Sequence, residues 1–177
     1  MNQEQYAENM RQAVADGMVK VGIPCEYGPV NREWCWAKRL SSSFAKLDNC
    51  CVYRDDVYFG DVVEFCERDN DHGGPHPVMK SFVRVVSRGS TQLPIAYGTA
   101  VELADRSDRM RAEFTDRFRT ICAFCDAMPI AVRPVCVEGF VAGIAHVAFP
   151  ATVTIDEARA LAAGIPFAVD DDDQADD

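Results

Sequence analysis

Eight cysteines and three histidines lie along 177 residues, and their spacing limits the chemistry they can do. Cys122 and Cys125 have the Cys-x-x-Cys spacing shared by redox pairs and by half of a zinc site. A redox pair of that type normally opens a helix, where the positive dipole end lowers the thiol pKa. Here the pair closes a helical stripe, so that help is missing. A zinc site needs further ligands, and no second Cys-x-x-Cys is present. His72 and His76 of HGGPH could complete a low-ranked zinc set with Cys122 and Cys125. Packing ranks above both, because free cysteine behaves as a small buried hydrophobe and this pair shares its stripe with Phe114 and Phe118.

A second cluster is DNCCVYRDDVYFGDVVEFC, residues 48–66, with Cys50, Cys51 and Cys66 among four aspartates and four aromatic rings. Asp48-Asn49 and Gly60-Asp61 read as turns that set strand register, since Asn, Asp and Gly tolerate unusual backbone angles. Val63 and Phe65 alternate toward one face, and Cys51 with Tyr53 is expected to do the same in its own strand. One of Cys50 and Cys51 is then expected to leave the core, because strand neighbours point to opposite faces. His146, between Ala145 and Val147, reads as a hydrogen-bonded core or edge histidine rather than a catalytic base. No nucleophile elbow, phosphate-binding glycine loop, His-Glu-x-x-His or EF-hand loop occurs. Catalysis by two carboxylates leaves no sequence signature and has no positive support here.

The elements that must position these groups follow from periodicity. Residues 3–16 form an amphipathic helix with Tyr6, Met10, Ala13 and Val14 on one face, stopped by Gly17. GIPCEYGPVN reads as a linker. From Arg32 to about Tyr97 come strands rich in Val, Phe, Tyr and Trp with no helix between them, which predicts a small antiparallel barrel. Residues 107–125 carry Met110, Phe114, Phe118, Ile121, Cys122 and Cys125 at helical spacing. AVRPVCVEGFVAGIAHVAF predicts two strands around a Glu138-Gly139 turn. TIDEARALAAG predicts a helix opened by a Thr154/Glu157 capping box and closed by Gly164.

The predicted class is therefore α+β. Residues 1–31 are an N-terminal helix and linker, 32–98 a β-barrel, 99–168 a ferredoxin-like or split βαβ half of order βαββα, and 169–177 a disordered acidic tail. Subtracting the six aspartates of DDDDQADD takes the net charge from −10 to −4, so the body is only mildly acidic. That argues against a phosphate mimic and against nucleic-acid binding, which wants a basic stripe. Arg106, Arg109, Arg111, Arg117 and Arg119 interleave with acids, as on a solvated helix face. No apolar run of about 18 residues and no signal-like start occurs, so a cytosolic chain with reduced thiols and no membrane contact is expected.

The run REWCWAKRLSSSFAKLDNCCVYRDDVYFGDVVEF resembles the opening of the bacterial domain-of-unknown-function family 4265. The resemblance rests on Trp36 in a first strand, the Leu47-Asp48-Asn49 turn, and Gly60-Asp61-Val62-Val63. VAGIAHVAFPATVTIDEARALAAG is similar to that family's closing strand, Pro-containing turn and helix. The resemblance spans roughly residues 32–168 and implies an architecture, not an activity.

The function expected is non-catalytic: a bacterial or phage-type protein that binds another protein, as immunity proteins and inhibitors of defence systems do, with no cofactor. Trp34, Tyr53, Tyr58 and Phe59 are the expected interface rings. The alternative is a small enzyme or ligand-binding module with a pocket between the halves, using Asp48, Asn49, Asp61 and His146.

Overall fold

The computed structural model describes residues 3–27, 30–54, 56–67, 79–140 and 143–166, in two compact units, Met1–Gly89 and Ser90–Asp177. The histidines of HGGPH and the acidic tail lie outside the described residues.

The first unit opens with α1, Gln3–Ala15, which Gly17 ends at φ +79° as its sequence predicts. Along α1, Ala13 is half-buried and Val14 exposed. Five strands follow: β1 (Met18–Tyr27), β2 (Val30–Arg39), β3 (Phe44–Leu47), β4 (Val62–Glu67) and β5 (Met79–Ser87). They close a barrel in chain order. An odd-numbered meander leaves its first and last strands pointing the same way, so closure requires the parallel β1–β5 ladder seen at Lys20–Gly22. Val19, Val21, Ile23, Cys35, Ala37, Ala45, Leu47, Val63 and Phe65 fill the interior. The Cys and Ala positions are small because opposed strands of a narrow barrel leave no room for more.

Of the linker predicted from GIPCEYGPVN, Gly22 to Tyr27 are instead the second half of β1, and Val30 and Asn31 open β2. Gly22 and Pro24 have strand roles. Gly22 faces Trp34, and a Cβ there would stand 2.8 Å from the indole, so the missing side chain makes room for the ring. Pro24 lies beyond the parallel ladder, which ends at Gly22, so the N–H that proline lacks is not missed on that side.

The second unit contains β6 (Ser90–Ala96), α2 (Ala100–Ala104), α3 (Asp108–Asp126), β7 (Cys136–Phe140), β8 (Ile144–Pro150) and α4 (Ile155–Ala162). The sheet order is β6-β8-β7, with β8 antiparallel to both neighbours, which is a split βαβ with an added helix. Leu93, Ile95, Tyr97, Ala145, Val147 and Phe149 face Ile121 and Cys125 of α3 and Ala158 and Ala162 of α4. The Thr154/Glu157 capping box forms as predicted. The chain is thus a mixed α+β protein with a closed barrel.

Two sequence boundaries move. Residues 90–96, read as the end of the barrel, pair with β8. Glu138 and Gly139 lie inside β7, and the described turn residue is Gly143, at positive φ. Gly139 imitates a turn signal in the sequence, but its role is space: a Cβ there would stand 2.6 Å from the Phe118 ring.

Candidate functional site

The cysteine-rich stretch is neither a strand nor an open loop. Residues 48–61 form a strap fastened at three places. At its start, the Asn49 side chain extends the β2 ladder: Oδ1 accepts the Trp36 amide at 2.7 Å and Nδ2 donates to the Cys50 carbonyl at 3.0 Å. The Asp48 amide donates to the Trp36 carbonyl. In the middle, Glu33 accepts the Val52 amide at 2.9 Å and the Tyr53 amide at 3.0 Å. At its end, buried Asp61 accepts the Tyr58 amide at 3.0 Å, the Gly89 amide at 2.8 Å and the Arg88 guanidinium at 2.8 Å.

These bonds answer the chemistry expected of the stretch. Asn49 and Asp61 spend their polar atoms on the chain's own backbone and, for Asp61, on Arg88. Burial raises the Asp61 carboxyl above its ordinary range, against the pull of two amides and Arg88. Asp48 is exposed. The expectation that one of Cys50 and Cys51 leaves the core is corrected, since both are fully buried, Cys51 within the barrel cluster. Strand alternation does not apply, because residues 50–61 are not a strand and turn freely to bury successive side chains.

Cys51 meets Cys35 inside the barrel, Sγ to Sγ 3.3 Å. The ligand atoms of Glu33, Cys35 and Cys51 all lie within 4.8 Å of one another, which makes them the candidate metal-ligating set of the barrel. The Cys51 thiol is held far above its usual range, first by its bond to Cys35 and then by burial.

The outer face of the β1–β2 hairpin is where the aromatic side chains collect. Trp34 and Trp36 alternate with inward Cys35 and are half-buried. The Arg32 guanidinium lies 5.8 Å from the Trp34 ring and the Lys20 ammonium 4.9 Å from Trp36. Tyr53 is 41% exposed on the strap. Tyr58 is half-buried beneath Arg88, 4.5 Å from its ring centroid, and Phe59 is half-buried as well. Of the predicted interface rings, Trp34 and Tyr53 therefore face outward and Tyr58 is roofed.

In the second unit, His146 is buried on β8 with Nδ1 3.0 Å from the Gln92 amide nitrogen, the packed histidine its sequence context predicted. Burial lowers its pKa, which favours the neutral ring. Cys125 is buried and its thiol is pushed up to about 11 by desolvation first and then by Cys122 and Asp126. Cys122 is half-buried and also raised by burial. Both shifts run opposite to the lowered thiol pKa that a redox pair of this spacing relies on. Arg117 bridges Glu102 at 2.7 Å and Glu113 within α3, and its Nη1 donates to the Tyr97 carbonyl. The helix arginines predicted to be paired are paired at Arg111, Arg117 and Arg119. A cavity of about 300 Å³ is lined by Tyr97, Phe114, Phe118 and Arg111, with Gly139 and Gly143 at its wall.

No protein-family model matches the chain, and no curated protein matches it. Among solved structures it is similar to a hypothetical protein from Neisseria gonorrhoeae, at 11% identity and a TM-score of 0.42, over 85% of this chain and 89% of that one. No helix among the described residues is long and apolar enough to cross a membrane.

Sequence reasoning missed Glu33 and Arg88, and gave Trp36 a strand but no part in the site. Glu33 had a readable signal, because it falls on the inward register of Cys35 and Ala37, where an acid must have a purpose. Arg88 and Trp36 had none, since their partners are distant in sequence.

Proposed function

We propose that this is a non-catalytic protein-binding protein that acts by covering a surface on another protein, in the manner of a bacterial or phage-type immunity protein or inhibitor. The observation that supports it is the placement of Trp34. Its ring lies against Gly22 on the outside of the barrel, half-buried, with the Arg32 guanidinium 5.8 Å from the ring centroid. Rigid aromatic rings of this kind are efficient anchors, since they bury a large area with little loss of side-chain freedom. Arg32, Lys20 and Lys38 border the two indoles, which favours a partner surface carrying carboxylates around an apolar centre. Tyr53 reaches the surface from the strap, fixed through its amide to Glu33, the residue before Trp34.

The experiment is affinity capture from a bacterial lysate with the wild-type chain and with a Trp34→Ala/Tyr53→Ala double variant of unchanged melting temperature. The reading expects a partner retained by the wild type and lost by the double variant. Equal retention by both removes these rings from the interface.

A second reading, a small-ligand module, is favoured by the aromatic cavity of the second unit rather than by Asp48, Asn49, Asp61 and His146. Its lining fits a flat apolar body with an anionic group near Arg111. Saturable binding of an aromatic carboxylate that Arg111→Ala abolishes would support it.

A further inference from the structure

We infer that Cys35 and Cys51 are a reversible disulfide site that pins the 48–61 strap to β2. This goes beyond partner binding, and its test needs no partner.

The geometry is nearly that of the bond. The two sulfurs are 3.3 Å apart, and a disulfide holds them at about 2.05 Å, so closure asks for about 1.3 Å of movement. The backbones are already fixed on either side of the pair. Asn49 holds the strap to the Trp36 amide just before Cys51, and Glu33 holds the Val52 and Tyr53 amides just after it. Neither side chain has another place to go, because both are fully buried against the barrel core.

A metal fits the same residues less well. Tetrahedral zinc with bonds of about 2.3 Å holds its sulfurs roughly 3.8 Å apart, so this pair would have to open rather than close. The third donor, Glu33, already has both carboxylate oxygens on strap amides. No fourth His, Cys, Asp or Glu joins the three among the described residues.

With hydrogen peroxide as oxidant the step balances. One thiolate attacks a peroxide oxygen and becomes a sulfenic acid as hydroxide leaves. The second sulfur then displaces the sulfenic oxygen, the S–S bond forms, and the two thiol protons end in two waters. A dithiol reductant reverses it. Because both sulfurs are fully buried, an oxidant reaches them only when the strap opens, and the bond once made closes that opening. The consequence is a strap whose mobility depends on oxidation. It lies between Trp34 and Trp36, which flank Cys35, and Tyr53, two residues after Cys51.

The test treats a Cys66→Ser chain, which lacks the exposed thiol, with hydrogen peroxide, alkylates the remaining thiols and maps the peptides by mass. Amide exchange at Val52 and Tyr53 is followed in parallel. The expected result is a dithiothreitol-sensitive link between Cys35 and Cys51, with exchange at the two amides slowed by about a hundredfold, as closing a loop of this length predicts. Cys35→Ala and Cys51→Ala should each lose the link, while Cys122→Ala keeps it. The inference is overturned if the oxidised chain links other cysteines, if Cys35 and Cys51 both remain alkylatable after unfolding, or if stoichiometric zinc protects them before oxidation.

Discussion

Glu33 holds the strap by a forked contact: one carboxylate oxygen lies 2.9 Å from the Val52 amide and the other 3.0 Å from both that amide and the Tyr53 amide. A charged acceptor bound to two amides is stronger than a neutral one. Glu33→Ala is expected to lower stability by about 1–3 kcal/mol, and Glu33→Gln by less, because one acceptor oxygen survives. Urea unfolding measures both. An unchanged midpoint for Glu33→Ala would mean that the strap is not fastened there.

Asp61 is the heavier fastening. Removing its carboxylate leaves the Tyr58 and Gly89 amides and the Arg88 guanidinium without this acceptor at once. Asp61→Ala is predicted to cost about 2–4 kcal/mol, more than Glu33→Ala. The same urea series ranks the two, and the reverse order would contradict the assignment.

Gly89 is a packing test of the same corner. A Cβ on it would meet the Gly60 backbone at 1.9 Å, and backbone cannot rotate aside as a side chain can. Gly89→Ala should therefore destabilise by about 1–3 kcal/mol or more. Gly17→Ala, with nothing near its Cβ, should cost only the strain of its positive φ. Thermal melts of the two variants separate space from backbone freedom.

These elements show how far the sequence was readable. α3 and α4 were legible to within a residue or two, because a helix is specified by neighbours three and four apart and by local caps. The barrel interior was legible in Val63 and Phe65. β1 was missed because Gly22 and Pro24 punctuate a sequence locally, and what makes them tolerable is a tryptophan and an edge supplied by distant segments. The Glu138-Gly139 turn failed for the same reason, with Phe118 as the distant cause. The candidate site was legible only in part. Trp34 and Tyr53 could be picked as rings, but not which of the rings a cation would roof, and the meeting of Cys35 with Cys51 has no local trace.

The pH dependence of stability follows from two groups with opposite charge types. Burial lowers the His146 pKa in the folded chain, so the unfolded chain takes up the proton more readily. Its contribution is present above the unfolded value of about 6.5 and is lost as pH falls below it. Glu102, held at about 2 by Arg117 and the Thr99 cap, contributes above its ordinary value of 4.5 and loses that between 4.5 and about 2. Stability should thus decline in two stages on acidification. His146→Asn should flatten the first stage alone, and Glu102→Gln the second, as urea midpoints across pH would show.

The proposed role of the barrel face is tested most directly by photo-crosslinking. A benzoylphenylalanine is placed at Trp34 in one sample and, in a control, at Ile130, which is 83% exposed in the second unit. Irradiation in the bacterial lysate should yield a discrete protein adduct from position 34 and none from position 130. An adduct from position 130 with none from position 34 would contradict the account.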